Sequence, residues 1–163
     1  MVIKRIGRII DSKSNILDKI GFIQGRLSPK INNLIQAFPW NYWKDEFAIA
    51  KKHDFKIMEW TLDQQNLYKN PLMNAKGRKV IKSLMEKNNI SIFSLTGDCF
   101  MQQPFYKNIG KIKENLLNDL KNIIFSCGKL KIRYIVFPLV DNGKIENDLQ
   151  EKNLKNGLLS IES

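Results

Sequence analysis

One histidine, His53, stands in the 163 residues of this chain. It falls at the end of a predicted helix, where an imidazole complements the helix dipole. Neither a catalytic triad nor a histidine metal cluster is therefore expected. Cysteine is almost as scarce. Cys99 and Cys127 are far apart, with no CxxC and no Cys/His metal spacing. That usage suits free thiols in a reducing, cytoplasmic setting. Cys99 has no basic neighbour in sequence to activate it as a nucleophile. No stretch approaches the roughly 18 apolar residues of a membrane span. The first residues, Met1-Val2-Ile3-Lys4-Arg5-Ile6-Gly7-Arg8, lack the apolar core and small-residue cleavage site of a signal peptide. No GxGxxG or GxxxxGK[ST] follows any apolar run, so nucleotide-type phosphate loops are missing.

Acidic residues are also in the minority. Sixteen Asp and Glu face 27 Lys and Arg, for a formal net charge of +11. Such a balance can mark a nucleic-acid or anionic-membrane partner. Here the cations do not gather into a block. They are spread through Asn-rich stretches such as Lys69-Asn70 and Lys87-Asn88-Asn89. This favours a compositional habit over a nucleic-acid partner. A basic site for a phosphorylated or acidic sugar is the remaining reading, and a non-catalytic basic module for an anionic partner is the alternative function it would support.

Four short apolar runs carry a β signal. They are Ile20-Gly21-Phe22-Ile23, Phe55-Lys56-Ile57-Met58, Ile90-Ser91-Ile92-Phe93-Ser94-Leu95 and Tyr134-Ile135-Val136-Phe137-Pro138-Leu139-Val140. Short β-branched and aromatic runs bounded by Gly, Asn and Asp suit buried strands. Helical stripes alternate with them. Trp43, Phe47 and Ala50 form one, ending near His53-Asp54. Val80, Ile81, Leu84 and Met85 form a second, with Asn74 as a plausible cap. Leu116, Leu117, Leu120, Ile123, Ile124 and Cys127 form a third, with Gly128 at the expected left-handed C′ position. Leu149, Leu154, Leu158 and Leu159 suggest a fourth, weakened by Gly157. Residues 1–19 read as a leader or a short capping segment, and residues 20–163 as one α/β domain.

The order βαβαβαβα calls for parallel strands joined by helical crossovers. Every strand ends in polar groups: Gln24 and Arg26, Glu59, Asp98, then Asp141 and Asn142. That pattern fits both a barrel mouth and the crevice of an open sheet. Each residue has two readings. Glu59 is either an acid/base or hydroxyl-binding group, or an acceptor for loop amides or a partner for Arg26. Arg26 either holds a phosphate or carboxylate, or pairs with Glu59 or Asp98. Gln24 is a further substrate contact. Asp98 and Asp141 are either site residues or turn chemistry. Trp60 and Phe100 at strand ends read as aromatic pocket walls, Trp40 as a ring that could stack on a sugar, and Trp43 as core.

Several of these segments, in order, resemble one family. Gly21-Phe22-Ile23-Gln24-Gly25-Arg26-Leu27-Ser28-Pro29 is similar to the first-strand motif of the xylose-isomerase-like TIM barrels, the sugar-phosphate isomerases and epimerases. Ile35 to Trp40 with Trp43, Glu46, Phe47 and Ala50 extends the likeness. Lys56-Ile57-Met58-Glu59-Trp60 looks like that family's second strand, and Asn70-Pro71-Leu72 like the loop after it. Ser94 to Met101 with Pro104 resembles the third strand and loop, and Tyr134 to Asn142 the fourth. The resemblance implies an eight-stranded barrel acting on a sugar or sugar phosphate. It also implies a divalent metal, held mainly by residues of strands five to eight. Such a barrel needs roughly 250 residues. The expectation is a partial (β/α) barrel of four units, stopping before strand five and lacking the metal ligands. A second copy or a complementing C-terminal half would then complete it, with metal-assisted proton transfer as the chemistry and little activity in this chain alone.

Overall fold

In the computed structural model, residues 19–31 and 37–162 are described, so the expected leader or capping segment lies almost wholly outside them. The order is β1 Gly21–Ile23, α1 Asp45–Lys52, β2 Ile57–Thr61, α2 Ala75–Asn88, β3 Ser91–Thr96, α3 Asp98–Gln102, α4 Gly110–Leu130, β4 Tyr134–Val136 and α5 Asp148–Glu162, with short 3-10 turns between. All strands are parallel, in the order β1-β2-β3-β4. Right-handed crossovers between successive neighbours place the connecting helices on one side of such a sheet. No helix among the described residues is long and apolar enough to cross a membrane.

Period-two alternation sorts each strand between two faces. Met58 and Trp60 of β2, with Ile92 and Leu95 of β3, are buried almost completely, together with Phe47 and Ala50 of α1, Ile81 of α2 and Leu120, Ile123 and Cys127 of α4. This is the core between sheet and helices. The other face carries Ile23, Glu59 and Ser94, aligned across three strands by the pairs Ile23↔Glu59 and Glu59↔Ser94. A register shift after Met58 leaves Phe93 unpaired, so the strands realign and Thr61 faces Thr96. On this face Tyr134 and Val136 are exposed. β1 and β4 each pair on one side only within the described sheet.

Several sequence expectations shift. Glu59 and Trp60 lie inside β2 rather than after it. β4 ends at Val136, well before Val140; Pro138 has no N–H to continue a ladder. Asn74 caps α2 as expected, its Oδ1 accepting from Gly77 N at 2.7 Å. The left-handed residue closing α4 is Lys131, at φ 61°, not Gly128. The helix continues past Gly128 because its buried stripe does, through Cys127 to Leu130. Gly157 does not interrupt α5. It brings that helix against Phe105, whose ring would lie 2.2 Å from an added Cβ.

These two helical glycines should respond to alanine with opposite signs. At Gly128 an added methyl meets nothing within 4 Å, so Gly128→Ala should stabilise by roughly 0.5–1 kcal/mol through helix propensity. Gly157→Ala should destabilise by about 1–3 kcal/mol through overpacking. Urea midpoints of the two variants check this; equal signs would contradict the α5 packing.

Candidate functional site

The polar strand ends converge because parallel strands bring their C-terminal ends to one edge. There, a cavity of about 460 Å³ is lined by Glu59, Thr96, Asp98, Gln102 and Asp141 on its polar side and by Ile23, Met101, Val136, Pro138 and Val140 on its apolar side. That volume lies in the range of small-ligand sites, roughly 300–1,000 Å³. A smaller hollow of about 220 Å³ continues along the open sheet face past Gly21, Ile57, Glu59 and Ser94. Glu59 is common to both hollows.

Glu59 is held from β3. Ser94 Oγ donates to its Oε2 at 2.5 Å, and Thr96 Oγ1 donates to its Oε1. Both hydroxyls stand on the same sheet face as the carboxylate, two residues apart on the neighbouring strand. The side chain is thereby fixed in direction, with further lone pairs available to a ligand. Asp98 is the first residue of α3 and is buried. Asp141 opens the 3-10 turn Asp141–Gly143, at φ 48°, and is exposed. Gln102 is anchored at both ends of its amide: Oε1 accepts from Gln64 N at 2.7 Å and Nε2 donates to Asp63 Oδ1 at 2.9 Å. Asn142 ties the β4 loop to α3, donating from Nδ2 to the carbonyls of Met101 and Gln102, each at 3.1 Å.

Of the six residues singled out from the sequence, Glu59, Asp98 and Asp141 come together on this cavity, and Gln24, Arg26 and Trp60 are not in its lining. Trp60 is a correction. Adjacent strand residues face opposite ways, so when Glu59 faces the open side Trp60 enters the core. It is fully buried, donates from Nε1 to Asn70 Oδ1 at 3.2 Å, and packs against Phe38 and Trp43. Phe100 is likewise buried, stacked on Phe137 at 4.2 Å, and Trp40 lies edge-on against Phe38. Gln24 is fully buried. Its Oε1 accepts from Thr61 N at 3.3 Å, while its Nε2 has no hydrogen-bond partner. Arg26 is exposed in the loop after β1. His53 closes α1 as its C-cap.

The sequence reading did not assign Ser94, Thr96 and Gln102 to the site. For the first two a signal existed: they flank Leu95 at strand period, in and just after the apolar run that follows Glu59's along the chain.

Glu46 of α1 has a different task. It is fully buried, and its carboxylate accepts from Gly25 N with both oxygens at 2.9 Å and from Leu27 N at 3.0 Å. Gly25, at φ 91°, turns its amide toward that carboxylate; a side chain there would meet Ala37 O at 2.8 Å. Burial raises the Glu46 pKa above its ordinary 4.5, outweighing the lowering by the amides.

The family resemblance implies a divalent metal, and the described residues do not suit one. No group of three or more His, Cys, Asp or Glu side chains is placed to hold an ion among them; Glu59, Asp98 and Asp141 line one cavity but do not form such a group. Both thiols are buried. Desolvation pushes Cys99 far above the ordinary thiol range and Cys127 to about 12, so neither supplies a thiolate near neutrality. No protein-family model matches the sequence, and no curated protein matches it.

Two measurements test this site. Glu46→Ala leaves the Gly25 and Leu27 amides without their acceptor and should cost about 1–3 kcal/mol. Because the folded-state pKa is the higher one, the Glu46 contribution is fully present below pH 4.5 and declines as pH rises through the elevated value. That decline should be missing from Glu46→Gln in urea titrations across pH. A thiol-specific disulfide reagent at pH 8 should leave both cysteines untouched in the native protein and label both in denaturant; rapid native labelling would contradict their burial.

Proposed function

We propose that this chain is one wall of a sugar isomerase or epimerase of the xylose-isomerase-like barrel type: a (β/α) half-barrel whose open sheet face is the inside of the barrel. The observation that carries the reading is Glu59. It is a carboxylate on an otherwise largely apolar open face, clamped by two hydroxyls and shared by two hollows at the C-terminal ends of parallel strands. In barrels of this class, ligands bind at that end. Carboxylate and amide groups suit sugar hydroxyls, and the apolar side suits the C–H face of a sugar ring.

The strand order β1-β2-β3-β4, with β1 and β4 each paired on one side only among the described residues, further supports a half-barrel. A second set of four β/α units, turned about the barrel axis, would place its first strand beside β4 and its last beside β1. It would also cover Phe93, Tyr134 and Val136, which are exposed on or beside the open face. Either a second copy or a separate complementing chain can supply that set. In the completed barrel this chain binds and orients the sugar, and proton transfer beside the carbonyl draws on groups outside its described residues.

Light scattering of the purified chain reports its mass: a dimer identifies a second copy as the completing half, a monomer a separate chain. Amide NMR titration of the assembled protein with ketoses should shift Thr96, Asp98, Gln102 and Asp141. Glu59→Gln should weaken that binding about tenfold, equivalent to about 1.4 kcal/mol. An assembled protein whose cavity no carbohydrate perturbs would overturn the proposal.

A further inference from the structure

The cations of this chain are spread along the sequence but concentrated in space. The adjacent helices α2 and α4 carry nine Lys and Arg against three Asp and Glu, so more than half of the net charge of +11 sits on them. Each of those acidic side chains has a partner: Glu86 has Lys82 at 4.0 Å, Glu114 has Lys111 at 3.3 Å, and Asp119 accepts from Tyr68 Oη at 2.5 Å. The two helices lie on the connections from β2 to β3 and from β3 to β4. Their outward faces are therefore remote from the β1 and β4 edges and stay outward whether or not a barrel is completed there.

An aromatic ring stands at the centre of this surface. Phe125 is two residues from the buried Ile123 and from the buried Cys127, about 160° around the helix from each. It thus projects from the side of α4 opposite the core, and it is 57% exposed. Lys121 and Lys129 lie one turn before and one turn after it on the same side. Lys129 Nζ stands 4.8 Å from the ring centroid and Arg78 Cζ, from α2, 6.0 Å. Arg78 is fixed there, its Nη1 donating to Leu72 O at 2.9 Å and to Ser126 Oγ at 3.3 Å. Ile124, next to the ring in sequence, is 40% exposed.

We infer that this surface docks peripherally on an anionic lipid bilayer. It does not depend on the sugar-binding function proposed above. Charge complementarity supplies the attraction, because anionic headgroups draw Lys and Arg to the membrane surface. The ring supplies the apolar contact. On a helix lying in the plane of the interface, an aromatic at the crest enters between headgroups while flanking lysines keep their ammonium groups among them. The same geometry disfavours single-stranded nucleic acid. Base stacking needs an open ring face. Here cations stand over Phe125, and its outer edge is presented by a convex helix rather than within a groove.

Flotation of the full chain with lipid vesicles tests this. Vesicles with phosphatidylserine as about a third of their lipid should bind it about tenfold or more tightly than vesicles of phosphatidylcholine alone, and raising salt from about 0.05 to 0.3 M should weaken that binding severalfold. Phe125→Ala should weaken it about tenfold, with the urea midpoint little changed because the ring is outside the core. Lys121→Glu with Lys129→Glu should weaken it by about tenfold or more, whereas Lys30→Glu with Lys52→Glu, the same charge change made in the loop after β1 and on α1, should cost about threefold at most. A Phe125→Ala chain that binds as tightly as the original, or vesicle binding indifferent to phosphatidylserine, would overturn the inference. So would tight binding of poly(U) RNA that Phe125→Ala abolishes, with no binding to the vesicles.

Discussion

Everything in this molecule hangs on the alternation of side chains along four parallel strands. A strand cannot send neighbouring residues to the same face, so helices covering one side of the sheet bury one set of residues and expose the other. At β2 the consequence is sharpest. Trp60 is in the core with Phe38, Trp43 and Asn70 around it; Glu59 is on the open side, held by Ser94 and Thr96. The bulge at Phe93 keeps both carboxylate partners in register despite an extra residue in β3. Without it Ser94 and Thr96 would turn into the core, because a one-residue slip swaps the faces.

The loops above the strands are organised by side chains that cap backbone groups. Glu46 gathers the amides after β1, Asn70 accepts from Leu72 N at 3.0 Å after β2, and Asn142 binds the carbonyls at the end of α3. Each replaces a hydrogen bond that irregular backbone would otherwise seek from water. These residues shape the cavity edge, whereas Glu59, Thr96, Asp98, Gln102 and Asp141 face its interior. The distinction matters because both kinds are polar residues at strand ends, and composition does not separate them. Glu46 is the more deeply buried carboxylate, yet its lone pairs are spent on this chain's own amides.

Much of the architecture was legible beforehand. The apolar runs, the helical stripes and the Asn74 cap all anticipated elements that form, because each depends on neighbours within a few residues. The errors came where a local rule met a longer-range one. Gly128 has the chemistry of a helix stop, but the buried stripe of α4 carries the helix on to Lys131. Gly157 looks like a weakness of α5 and is instead its contact with Phe105. Trp60 resembled a pocket wall because it sits at a strand end, and the register of β2 placed it in the core. Gln24 and Arg26 share the strand-end position of the cavity residues without entering its lining.

By itself the sequence determined the β/α alternation, the parallel sense of the strands and the gathering of polar residues at their C-terminal ends. All three follow from periodicities of two and 3.6 residues and from the length of the crossovers. Only the tertiary structure decided which of those residues share a cavity, that Ser94 and Thr96 hold Glu59, and that Glu46 serves the fold. Those outcomes depend on register and on contacts between residues 19 to 41 positions apart in sequence, which no local pattern encodes.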